Sequence, residues 1–219
     1  TLAYDYSVDP PKNVRPRENV MIRLCHYQYC SSHPIAVCEV NRPFYNQLKE
    51  WEKIAGGRLT IWDYLTDFRN YLMPFPNFGS FSHDVKFYAD NGVKGLFNEG
   101  DAMGGGEFGE LRSWVLAQLM WNPNQDAQQL IDEFVTNVYG PASPYIADYI
   151  RLLHSHIDST THLSMWAEPF EVNYLSPATI AKADSLFDSA RVAAGEDAAL
   201  LDRVELAHLP ILWLKLNSF

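Results

Sequence analysis

Residues 57–78 read GRLTIWDYLTDFRNYLMPFPNF, and this stretch decides the fold. It starts as a buried strand over Arg58–Asp63 and turns polar at Asp63. Aromatics, Pro74 and Pro76 follow before another helix can begin. A strand that ends on a carboxylate and feeds a long aromatic loop is an unusual piece of scaffolding.

The same pattern repeats on either side. Upstream, Gly56-Gly57 ends a helix over Arg42–Ile54, where Phe44, Leu48, Trp51 and Ile54 recur at helical spacing and Asn41 is placed as N-cap. Before it lie a loop, His26–Val40, and a strand, Val20–Cys25. Thr1–Tyr6 reads as the first strand; Pro10, Pro11 and Pro16 keep the connector Val8–Asn19 from being helical. Downstream, Ser82–Asn91 is a helix ended by Asn91-Gly92, and Val93–Asn98 is a fourth strand that closes on Glu99. Thr1 enters strand-like sequence directly, so no leader is read there and the first residue resembles a cut point.

Strands alternating with helices predict a parallel sheet. The long loops follow the strands and the tight returns follow the helices, as in a (β/α) barrel whose site lies at the strand C-termini. Four strands do not close a barrel, and an open four-stranded sheet exposes apolar edges. The expected fold is therefore α/β: the C-terminal half of a (β/α)8 TIM barrel over residues 1–121, followed by an all-α segment over residues 122–219 that packs on it. Gly100–Gly106 leads into a helix over Glu107–Trp121, with Trp114 and Trp121 expected in the core. Helices over Asp126–Tyr139 and Pro144–Ile157, an irregular stretch over Ser159–Asn173, and helices from Ser176-Pro177 to Ala194 and over Asp197–Leu216 complete the chain.

Composition narrows the partners. Of 219 residues, 47% are apolar and 20% charged, which suits a packed globular protein. The net charge of −10 and the absence of a basic cluster argue against nucleic acid. No apolar run approaches the ~20 residues of a membrane span. Aromatics reach 14%, an excess that fits a large core, a carbohydrate or ligand surface, or both. Cys25, Cys30 and Cys38 lie near His26 and His33, in spacings that match no familiar zinc pattern. No metal and no cofactor is expected there; Cys30–Cys38 is left open as a disulfide for an exported protein. The Gly104–Gly106 run lacks the lysine of a phosphate-binding loop.

Two carboxylates stand at strand ends: Asp63 in IWDY and Glu99 in FNEG. Glycoside hydrolysis generally needs a proton donor and a second carboxylate, and neighbouring barrel strands bring their ends close enough for such a pair. Asp63 and Glu99 are the catalytic candidates, with Tyr4, Tyr6, His26, Trp62, Tyr64 and Tyr71 as substrate contacts. The bland alternative is that rim carboxylates cap helices or hold loops, a role open equally to Asp67 and Asp101.

TLAYDY, PPKNVRPRENVMIRLC, IWDYLTDFRNYLMPFPNF, ELRSWVLAQLMWNP and EFVTNVYGPASPYI resemble the family called domain of unknown function 4838, over roughly residues 1–157. The resemblance implies a carbohydrate-active barrel from exported proteins of polysaccharide-degrading bacteria, distantly similar to family-20 hexosaminidases and α-glucuronidases. It also implies that the four strands are the fifth to eighth of a barrel. The N-terminal remainder of that barrel is then a partner, and the general acid lies upstream of Thr1. The fragment alone is expected to be inactive. The alternatives are a non-catalytic carbohydrate-binding barrel and a structural barrel without sugar specificity.

Overall fold

A computed structural model describes residues 1–101, 104–169 and 171–217. Residues 102–103 of the expected glycine-rich loop and residue 170 of the expected irregular stretch lie outside these. Four strands, β1 (Leu2–Ala3), β2 (Ile22–Cys25), β3 (Leu59–Tyr64) and β4 (Leu96–Glu99), form one sheet in the order β1-β2-β3-β4. All three neighbouring pairs are parallel. Among the described residues, the outer edges of β1 and β4 have no strand partner. The helices are α1 (Arg42–Ala55), α2 (Phe78–Asp90), α3 (Gly109–Trp121), α4 (Ala127–Tyr139), α5 (Ser143–His154), α6 (Pro177–Ala194) and α7 (Ala198–Asn217).

A sequential parallel order with right-handed crossovers gathers the connecting elements on one face of a sheet and leaves the other bare. Apolar residues divide accordingly. Ala3, Ile22, Leu24, Leu59 and Ile61 pack with Phe44, Leu48 and Trp51 of α1 and with Tyr88 of α2. A larger core begins in the β3–α2 loop with Leu65, Met73 and Phe75 and runs through α2 and α3 into α4–α7. It crosses residue 121 without a break. Phe75 and Phe78 are buried in this core.

Several helix ends follow their local chemistry. Gly56 takes φ 58° after α1, a conformation that costs glycine nothing. The Asp126 side chain accepts the backbone N–H groups of Gln128 and Gln129 at the start of α4. Ser176 does the same for Thr179, with Pro177 in the first turn of α6.

Three expectations are corrected and one is narrowed. The strand expected over Thr1–Tyr6 pairs only at Leu2–Ala3, because Asp5 takes φ 48° and turns the chain into a 3-10 turn over Asp5–Ser7. Asn41 stands at the N-cap of α1 as expected, but its side chain makes no capping bond, because its buried amide is spent on the loop before the helix. Helix α2 begins at Phe78 rather than Ser82, because Nε2 of His154 accepts the otherwise orphaned N–H of Phe78 at 3.2 Å. Trp121 is 89% exposed rather than core. The buried stripe of α3 is Leu111, Val115 and Leu119, and Trp121 lies two residues on, about 200° round the helix.

Candidate functional site: an open aromatic face and a buried carboxylate

Side chains alternate along a strand, so neighbouring residues serve opposite faces. On β3, Leu59, Ile61 and Asp63 are buried while Thr60, Trp62 and Tyr64 are half-buried. The first three belong to the helix-covered face, since Leu59 and Ile61 pack on α1. Register places Trp62 beside Cys25 on one side and Phe97 on the other, and Tyr64 beside Glu99. The open face therefore carries Arg23, Cys25, Trp62, Tyr64, Phe97 and Glu99. It is poorly covered: Arg23 is exposed and Phe97 is 43% exposed.

The rings on this face form a continuous strip at the C-terminal ends of the strands. Tyr4 meets Tyr27 at 4.9 Å between centroids, Tyr27 meets Tyr64 at 5.7 Å, and Tyr64 stacks on Trp62 at 6.2 Å. Trp62 meets Phe97 edge-on at 4.8 Å. A branch runs from Tyr64 through Phe68 to Tyr71 and to Trp166. Glu99 sits in the strip: its Oε2 accepts the indole N–H of Trp62 at 2.7 Å. Arg23 lies over the Phe97 ring, 5.8 Å from its centroid. Burial, with the nearby Cys25, Tyr4 and Glu99 adding repulsion, raises the Tyr64 phenol above its usual range, so it stays protonated.

Asp63 faces the other way. Its Oδ1 accepts the Nδ1–H of His26 at 2.9 Å and the N–H of Tyr64 at 3.0 Å; its Oδ2 accepts the Tyr88 hydroxyl at 3.1 Å. His26 and Asp63 are only 6% and 9% exposed, and the imidazole lies against Phe44 at 4.4 Å. Burial drives the Asp84 carboxyl well above its usual range, with Asp63 adding repulsion, and drives up the Tyr88 phenol as well. Tyr88 thus remains a donor to Asp63. A small cavity of about 20 Å³ lies among these groups. The carboxylate at the end of β3 fastens strand to helix.

The candidate pair is therefore split. Asp63 and Glu99 project from opposite faces of the sheet, because Asp63 is in register with Asn98 and not with Glu99. His26 goes with Asp63. Tyr4, Trp62, Tyr64 and Tyr71 go with Glu99. Tyr6, carried into the 3-10 turn, is 97% exposed and makes no ring contact among the described residues. Tyr27, Phe68, Trp166 and Arg23 were not singled out from sequence. Tyr27 shares the parity of Cys25 and was legible there; Trp166 arrives from the segment between α5 and α6 and had no local signal.

The loop after β3 is held from below. Arg112 of α3 pairs with Glu107 at 2.6 Å, donates to the Phe75 carbonyl at 2.7 Å and to Asn77 Oδ1 at 3.1 Å, and is 4% exposed. Asn77 in turn donates to the Leu65 carbonyl at 3.0 Å. Within the same loop Asp67 accepts the N–H groups of Arg69 and Asn70, and burial lifts its carboxyl to about 6. A cavity of about 390 Å³ flanks β4 and α3, but its charged groups are already engaged: Arg112 with Glu107, and Asp101 with the Gly106 N–H.

All three cysteines are free thiols, so Cys30 and Cys38 are not joined. No described helix is long and apolar enough to cross a membrane. No curated protein and no solved structure matches the chain. A family model does match, over residues 1–151, and the chain belongs to that family, described as a domain of unknown function (DUF4838).

Proposed function

We propose that the chain supplies half the rim of a glycoside-hydrolase-like (β/α)8 barrel, binding glycan on its open aromatic face with Glu99 toward the sugar. One observation carries this reading: a continuous strip of rings surrounds a carboxylate on the uncovered face, at the C-terminal strand ends. Flat rings stack on the apolar faces of pyranoses, and a carboxylate held by an indole N–H can accept a sugar hydroxyl or act on a glycosidic bond. The sequential strand order, the bare face and the two free edges support a barrel completed by four further strands. An exported setting in a polysaccharide-degrading bacterium goes with the same reading.

Hydrolysis needs a second carboxylate facing Glu99. Asp63 is unsuited by its orientation, so the reading assigns that partner to the completing strands. The turned-away Asp63 also favours a second reading, a barrel that holds glycan without cleaving it. Assaying the intact protein on a panel of polysaccharides and oligosaccharides, alongside Glu99→Gln and Trp62→Ala, separates the two. Turnover lost in Glu99→Gln with binding retained supports hydrolysis. Binding lost in Trp62→Ala, with no turnover by any form, supports the second reading. Neither binding nor turnover on any glycan sinks both.

A further inference from the structure

The loop between β2 and α1 brings Cys30, His33 and Cys38 together with His162, which lies 124 residues beyond Cys38. One donor atom from each lies within 4.8 Å of the others. Cys30 Sγ is 3.3 Å from Nδ1 of His33 and 3.3 Å from Nδ1 of His162; Cys38 Sγ is 3.8 Å from the same His162 nitrogen. With Zn–S near 2.3 Å and Zn–N near 2.0 Å, the sulfur–nitrogen edge of a tetrahedral site is about 3.5 Å. From these distances and this donor set, we infer that Cys30, His33, Cys38 and His162 form a structural site for a tetrahedral divalent metal, zinc above all.

Hydrogen bonding alone accounts for the cluster poorly. His33 Nε2 sits 2.9 Å from the Asp158 carbonyl, which fixes its proton there and leaves Nδ1 as a lone-pair donor. The Ser32 hydroxyl donates to the Thr161 carbonyl at 2.7 Å, so its proton is spent. If the Cys30 thiol proton goes to Nδ1 of His33, His162 Nδ1 keeps its 3.3 Å approach to Cys30 with only the longer 3.8 Å contact from Cys38 to supply a proton. A metal ion uses all four lone pairs at once.

The surroundings behave as a support for such a site. Asn41, fully buried, accepts the Cys30 N–H at 2.8 Å and donates to the carbonyls of Cys30 and His33 at 2.9 and 3.2 Å. Ser31 N–H bonds to the Leu163 carbonyl at 2.9 Å, joining the loop to the segment that bears His162. Four protein ligands leave no open position, so the role is structural rather than catalytic. The ion would clip the loop after β2 to residues 158–163, a few residues before Trp166 reaches the aromatic strip. Binding releases both thiol protons to solvent as the sulfurs become thiolates.

The test uses intact protein, reduced and freed of metal, titrated with zinc or cobalt(II). One equivalent is expected to bind. Cobalt should show thiolate charge-transfer absorption and tetrahedral d–d bands, zinc should raise the melting temperature, and chelator should reverse the rise. His162 is exposed, so His162→Ala should fold; it should bind about 100-fold more weakly or worse. Cys38→Ser should lose part of the charge-transfer intensity. The inference is overturned by reduced protein without cobalt–thiolate absorption, by His162→Ala binding as tightly as the parent, or by native protein recovered with a Cys30–Cys38 disulfide, two hydrogens lighter.

Discussion

At the end of β3, Asp63 accepts hydrogen bonds from His26, Tyr64 and Tyr88 beneath the helices. At the end of β4, Glu99 accepts one from Trp62 on the face the helices leave open. Both are strand-terminal carboxylates with aromatic neighbours, and sequence treats them alike. Their partners differ in kind. Asp63 accepts from groups of a strand end, the β2–α1 loop and α2, which is how a fold uses a buried polar group to fix its parts. Glu99 keeps acceptor capacity and stands among stacking surfaces, which is how a fold presents a carboxylate to something else.

If that contrast holds, the largest effect belongs to Glu99. In the intact protein, Glu99→Gln should lower glycan turnover by about 100- to 10,000-fold while unfolding as the parent does. Equal turnover in parent and variant would end its catalytic role. Next comes Asp63→Ala, which strips His26 and Tyr88 of their shared acceptor and should cost about 3–5 kcal/mol in chemical denaturation. A cost near zero would break the contrast from the other side. Trp62→Ala should weaken glycan binding by about tenfold, read by titration calorimetry, with folding little changed.

The smallest effect concerns pH, and its sign separates two buried groups. Burial lifts Asp67 from its ordinary 3.8 to about 6, so its charged form destabilises the fold as pH rises through that window. Burial lowers His154 from 6.5 to about 4, so its contribution is full above 6.5 and lost as pH falls toward 4. The two slopes oppose each other. Asp67→Asn should remove the falling one and steepen the rise in stability across this range, by about 1 kcal/mol after allowance for solvent screening. Urea unfolding of both forms at several pH values checks it; parallel curves would mean that Asp67 titrates alike in the folded and unfolded chain.

How much of this was legible follows from what each residue needs. The strand–helix alternation, the stop at Gly56 and the caps at Asp126 and Ser176 are local chemistry and can be read in the chain. So can the placing of Asp63 and Glu99 at strand ends. Their faces depend on register, and a one-residue step between β3 and β4 reverses the outcome. Leu59 and Ile61 share the parity of Asp63, which was the available hint. The group around Cys30 was out of reach: Cys30, His33 and Cys38 give an unfamiliar spacing, and the residue that completes them arrives from beyond α5. Trp121 shows the reverse error, since an aromatic on an amphipathic helix need not lie in its stripe.

The free edges of β1 and β4 have a bearing on handling. Among the described residues, each leaves backbone donors and acceptors unpaired, over two residues in β1 and four in β4, with Leu2 at 47% and Phe97 at 43% exposure nearby. Such rims are adhesive in a crowded solution, where any extended chain can lay itself alongside. The colloidal behaviour of this protein should therefore depend on what occupies those rims as much as on its net charge of −10.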